Sequence, residues 1–189
     1  MRLLRVISII LLLSYTSASK IEFDRYNIDD GLSQNTVYEV FQDSRGYIWL
    51  GTQGGLDRFN GYDFKHYEHE SNDSTSIVNG WIRTINEDKN GLLWMGTLGG
   101  NLGWFDPYSE IGGEIDLYGK HPDFRKPRWI SDILFHGNYI FLTTLGSGLC
   151  RYNTIDGSTL WYSEDSTADY YVDEQNLNNV ISINENEIL

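Results

Sequence analysis

The sequence predicts an all-β fold: a β-propeller of four-stranded antiparallel blades, of which this chain holds about three and the start of a fourth. One block recurs along it, Tyr47-Ile-Trp-Leu-Gly-Thr52, Leu92-Leu-Trp-Met-Gly-Thr97 and Tyr139-Ile-Phe-Leu-Thr-Thr144, so that the threonines fall 45 and then 47 residues apart. Around each block lie short apolar runs divided by turn signals, and no stretch after residue 20 keeps a helical period. Short strands under a super-period of roughly 40–50 residues are the signature of propeller blades, whereas a sandwich has no need to repeat the same block.

The chain opens on Arg2 and Arg5, an apolar run at 6–13, and small polar residues at 14–19. That order describes a cleavable secretory signal peptide over residues 1–19. The apolar run is far shorter than the ~20 residues of a spanning helix. The expected location is therefore periplasmic, with any membrane attachment supplied by a segment further downstream. Acidic residues outnumber basic ones by 27 to 14, a net charge of −13. With no clustered basic patch read in the sequence, nucleic acid is excluded as a partner. Cys150 stands alone in an apolar strand pattern, which gives no disulfide framework and points to a buried, inert thiol.

In the first unit the strands are expected near 36–43, 47–52, 55–60 and 63–69. The first hairpin turns at Asp43-Ser-Arg-Gly46, and its counterparts are Asp88-Lys-Asn-Gly91 and the shorter His136-Gly-Asn138. Asp can bond the backbone two residues on, and Gly can take the left-handed position that closes the turn. Trp49, Trp94 and Phe141 are plates suited to the wedge between blades, and the glycine after each tryptophan lets backbone approach there. Blades are expected at about 32–70, 77–121 and 128–165, with an incomplete one at 178–189. Three blades and a stub leave two apolar faces open, so residues 20–189 alone are expected to be poorly soluble or to self-associate.

These units resemble the two-component regulator propeller repeat. The first carries the resemblance most fully, in Asp30-Gly-Leu-Ser-Gln-Asn-Thr36, Gln42-Asp-Ser-Arg-Gly46, Ile48-Trp-Leu-Gly-Thr52 and Gly55-Leu-Asp-Arg-Phe-Asn-Gly61. The third departs at Thr143, where the pattern has Gly, and at its shortened turn. The resemblance implies seven-bladed periplasmic propellers, often two in series. A small β-sandwich, a transmembrane helix and a cytoplasmic output module would follow, commonly a hybrid histidine kinase and sometimes a diguanylate cyclase. It also implies oligosaccharide sensing, and it makes residues 21–26 the ring-closing strand of the last blade.

No catalytic, metal or cofactor site is expected. The stretch 86–91 looks briefly like a calcium loop, but Thr97 stands where the bidentate Glu belongs and the flanks are strands. His66 and His69 are placed on one strand, facing opposite ways and toward solvent. Neither the glycines at 99–103 nor Gly146-Ser-Gly148 has the strand-to-helix context of a phosphate cradle or a nucleophile elbow. What remains is a binding surface where loops enter the innermost strands, carrying Gln34, Asn35, Asn79, Trp81, Arg128 and Trp129. Amide and guanidinium donors beside aromatic plates suit sugars. The competing reading of Trp81 and Trp129 is blade packing. Three functions are open: the sensing part of a receptor that binds a small molecule or oligosaccharide, a secreted propeller enzyme resembling the streptogramin lyases, and a gene fragment with no role of its own.

Overall fold

The structure is a computed structural model that describes residues 22–78, 80–119, 123–173, 176–180, 182–184 and 187–188. The predicted signal peptide and Asn79 lie outside them. The first unit folds as a sheet of β1 (Val37–Gln42), β2 (Ile48–Thr52), β3 (Leu56–Phe59) and β4 (Phe64–Tyr67), antiparallel and in chain order. The second repeats it with β5 (Ile82–Glu87), β6 (Leu93–Thr97), β7 (Leu102–Asp106) and β8 (Ile111–Ile115). The third has β9 (Trp129–His136), β10 (Tyr139–Leu145), β11 (Gly148–Asn153) and β12 (Thr159–Ser163), with β13 (Tyr170–Tyr171) added in parallel on its outer edge. That fifth strand was not foreseen. A hairpin of β14 (Ser182–Asn184) and β15 (Glu187–Ile188) begins a further sheet.

The turns form for the reasons their residues supply. One carboxylate oxygen of Asp43 accepts the amides of Arg45 (3.0 Å) and Tyr47 (2.9 Å), and Gly46 takes φ +91°. Asp88 does the same for Asn90 (2.8 Å) and Leu92 (3.1 Å), with Gly91 at φ +84°. The second oxygen reaches inward to the tryptophan of the next strand, accepting Trp49 Nε1 at 2.9 Å and Trp94 Nε1 at 3.2 Å. So Asp88 meets amide and indole donors, the arrangement of a turn. Burial alone would raise the Asp43 carboxyl; the Trp49 indole, the Tyr47 amide and Arg45 outweigh it and hold it below the usual range. In the third unit His136 replaces the aspartate and Phe141 the tryptophan, so both halves of the pair are gone together.

Neighbouring sheets stack face to face, β5 against β1 and β2, and β9 against β5 and β6. A Cβ on Gly51 would lie 2.8 Å from Ile82 Cγ2, and one on Gly96 2.6 Å from Ile130 Cβ. The glycine of the repeated block thus admits the first isoleucine of the next blade's inner strand. The core sits in these wedges. Trp49, Leu56, Ile82, Leu93, Met95 and Phe105 fill the first, while Trp94, Leu117, Phe124, Ile130, Cys150 and Trp161 lead the cluster at the second.

Three expectations are refined. Phe141 is only half-buried and packs on His136 and Tyr139 of its own sheet. β4 ends at Tyr67, so His69 lies beyond the strand that was to carry it. Both histidines are exposed yet engaged: His66 Nδ1 lies 3.1 Å from Asp57 Oδ1, and His69 Nδ1 2.9 Å from the Ile77 carbonyl. Residues 22–27 run without strand pairing among the described residues, and Tyr26 packs on Phe59 and Phe64 at 5.0 and 5.7 Å.

Candidate functional site

The loops that lead into the inner strands, and the turns between second and third strands, gather at one end of the blades, here called the upper face. At that end each inner strand carries a register shift against its neighbour: between Val37 and Glu39, between Ile82 and Thr84, and opposite Thr143 and Thr144, where Asp132 and Ile130 pair but Ser131 does not. The residues left over are Tyr38, Arg83 and Ser131, at equivalent places in three blades. A β-bulge re-aims the side chain it carries and is common beside functional sites.

Here it assembles a ladder. Trp81 stacks on Tyr38 with centroids 6.1 Å apart and planes at 16°. The Arg83 guanidinium lies 4.3 Å from the Tyr38 ring and 4.8 Å from the Trp129 ring, and Arg128 lies 5.6 Å from the same Trp129 ring. Such contacts hold a cation without neutralising it. Arg83 Nε and Ser131 Oγ are buried with no hydrogen-bond partner among the described residues. Nearby, burial and then the charge of Asp132 push the Glu39 carboxyl above its ordinary range.

Of the residues singled out from sequence, Trp81, Trp129 and Arg128 are brought together through Tyr38 and Arg83. Trp81 is 40 % exposed and Trp129 half-buried. Gln34 and Asn35 are exposed but bonded locally: the Gln34 side-chain oxygen accepts the Asn35 amide at 3.1 Å, and Asn35 Oδ1 accepts the Ile28 amide at 3.1 Å. Asn79 lies outside the described residues. Sequence reasoning missed Tyr38, Arg83 and Ser131. It also missed a basic cluster that contradicts the patch-free reading: Arg125, Lys126 and Arg128 line one cavity of about 350 Å³ with Leu145, Gly146 and Asn176. The run Arg125-Lys-Pro-Arg128 was the available signal.

Other chemistry-bearing groups serve the fold. Ser33, Asp57 and His66 meet in the first blade, but the buried Asp57 stands between the other two, accepting Ser33 Oγ at 2.5 Å and facing His66 at 3.1 Å. In a catalytic triad the histidine is central, so this trio tethers a loop to a sheet instead. Ser147 Oγ donates to the Arg125 carbonyl at 2.6 Å. Burial pushes the Cys150 thiol up, which keeps it protonated and inert.

The family model described as two component regulator propeller matches residues 31–54 and 76–99, the inner two strands of the first two blades with their leading loops. A curated relative, histidine kinase P4 of Formosa agariphila, is 44% identical over 59 residues, covering 31% of this chain and 4% of its own length. Among solved structures, the extracellular domain of the proposed hybrid two component system BT3049 from B. thetaiotaomicron superposes with a TM-score of 0.73 at 18% identity, over 87% of this chain and 23% of that one. The extracellular domain of the proposed one component system BT4673 from the same organism gives a TM-score of 0.64 at 20% identity, over 88% of this chain and 21% of that one. At these identities the solved structures speak for the fold, and the chain spans under a quarter of each. Residues 31–54 and 76–99 match the two component regulator propeller model and fold as blades of a β-propeller.

Proposed function

We propose that this chain is the ligand-sensing propeller portion of an exported two-component signalling receptor, that it works in the periplasm, and that its ligand is an oligosaccharide. The observation that carries the reading is the ladder of Trp81, Tyr38, Arg83 and Trp129, in which Tyr38 and Arg83 stand at bulges of the inner strands. Aromatic faces cover the apolar faces of sugar rings, and guanidinium donors meet ring hydroxyls. In this reading residues 21–26 close the ring, and the remaining blades, membrane segment and output domains belong to the parent polypeptide. The similarity to a histidine kinase and to extracellular domains of two component systems supports it.

Calorimetric titration of the whole receptor with a panel of oligosaccharides tests the binding. One member should bind, and Trp81→Ala together with Arg83→Ala should weaken it at least tenfold. Cleavage of a panel member by the purified protein would favour the enzyme reading instead. Export has its own check: a reporter active only outside the cytoplasm, fused after residue 40, should be active. An inactive fusion sinks the periplasmic assignment.

A further inference from the structure

Three of the chain's 14 basic residues, Arg125, Lys126 and Arg128, fall within one short loop of a chain whose net charge is −13. All three are exposed and line one cavity on the upper face of the third blade. Among the described residues none of the three forms an ion pair with a carboxylate, although the Arg125 charge helps to lower the Asp165 carboxyl. Lys126 lies 4.7 Å from the Tyr118 ring and Arg128 5.6 Å from the Trp129 ring, contacts with π-faces and not with carboxylates. Asp165, the acid that faces Arg125, takes its backbone amide at 3.2 Å, and its other oxygen is occupied by the Thr167 amide and hydroxyl at 2.8 and 2.7 Å. The Trp129 ring that Arg128 meets is also met at 4.8 Å by Arg83, whose Nε is buried and has no partner among the described residues.

We infer that this face selects an anionic oligosaccharide, one bearing carboxylate or sulfate groups. The inference rests on the sensing reading above and names the class of ligand. Planar guanidinium forks match carboxylate and sulfate oxygens two at a time, which sugar hydroxyls do not reproduce. The acidic remainder of the chain repels a polyanion at long range, so attraction comes from these four cations at short range and weakens with salt. Leu145 and the Trp129 ring give the sugar an apolar surface beside the charges.

The test is calorimetry on the whole receptor at low and physiological salt, with a galacturonate tetramer, a sulfated tetrasaccharide, neutral maltotetraose and a single-stranded DNA of equal charge. We expect at least one acidic sugar to bind tenfold or more tighter than maltotetraose, and to lose affinity as salt rises. Which acidic sugar binds separates carboxylate from sulfate as the recognised group. The triple variant R125A/K126A/R128A, altered only at exposed positions, should lose the preference while keeping its melting temperature. Equal binding of the neutral sugar overturns the inference and leaves the sensing reading standing. DNA bound as tightly as the acidic sugar overturns it as well, because charge alone would then suffice. No sugar bound at all overturns both.

Discussion

At the junction of the first and second blades, Trp49 is fully buried and the lower rim, where the other hairpin turns lie, is closed by two carboxylates of the second blade. Glu87 accepts the Ser44 amide and hydroxyl at 2.7 and 2.8 Å. Glu110 accepts Lys65 Nζ at 2.6 Å and the Tyr67 hydroxyl at 2.9 Å. At the junction of the second and third blades Phe135 stands at the register position of Glu87, and Gly157 at the turn position of Glu110, the Glu110 and Gly157 amides each donating to the carbonyl four residues back. Phe135 meets Trp94 edge-on at 6.3 Å, Trp94 stays 8 % exposed, and a cleft of about 580 Å³ opens between the two lower turns. Glu110 has φ +59° where Gly157 has +70°, so the first junction keeps a strained non-glycine backbone in order to reach across. Closely similar strand plans therefore leave the seal between blades to a few positions at the rim. One junction uses ion pairs there and the other uses aromatic contact with room to spare.

The sharpest way to break this comparison is truncation of the two tryptophans. Trp49→Ala should cost about 3–5 kcal/mol, and Trp94→Ala less, because one side of its ring already faces a cleft. Denaturant unfolding of the whole propeller decides it, and equal losses would mean that the two wedges are packed alike. Next come the glycines. Gly51→Ala and Gly96→Ala should each cost about 1–3 kcal/mol by overpacking, with Gly96 the worse, since its added carbon meets Ile130 more closely than that of Gly51 meets Ile82. A smaller change is expected from Glu110→Ala, up to about 1 kcal/mol and fading with salt. Glu110→Gly should be milder than Glu110→Ala, because it relieves the left-handed backbone. If the alanine variant proves the milder, Glu110 is not strained.

The smallest effect is a pH slope confined to the first blade. The Asp57 hydrogen bond raises the His66 imidazole against the opposing pull of burial. A raised folded value means that its contribution is complete below about pH 6.5 and is lost as pH climbs through the folded value. The paired positions in the third blade are Cys150 and Trp161, which do not titrate in that range. His66→Gln should flatten the melting temperature above about pH 6 relative to the parent protein. An unchanged slope would show that Asp57 does not hold the proton there.

The blades were legible because their determinants are local and repeated: the aspartate turn, the buried tryptophan and the close-approach glycine all lie within one hairpin. The bulges at Tyr38, Arg83 and Ser131 were not, since a register shift is decided between two strands and leaves no mark in either alone. Consequently Trp81, Trp129 and Arg128 could be named while Arg83, which joins them, could not. The basic loop at 125–128 was visible in the letters but masked by the chain's overall acidity. β13 escaped for a related reason: Tyr170 joins the sheet by stacking on Tyr162 at 5.0 Å, a contact between residues that share no repeat.

The carboxylate that closes a turn with one oxygen and holds an indole with the other couples two positions six residues apart. Losing the tryptophan frees an oxygen in a buried corner, and losing the aspartate strands an indole N–H there. Either change alone leaves a buried polar group unpaired, whereas the third unit has both exchanged and a shorter turn. The two positions thus act as one unit, and anyone building new propellers by shuffling such blades should move the pair as a single part.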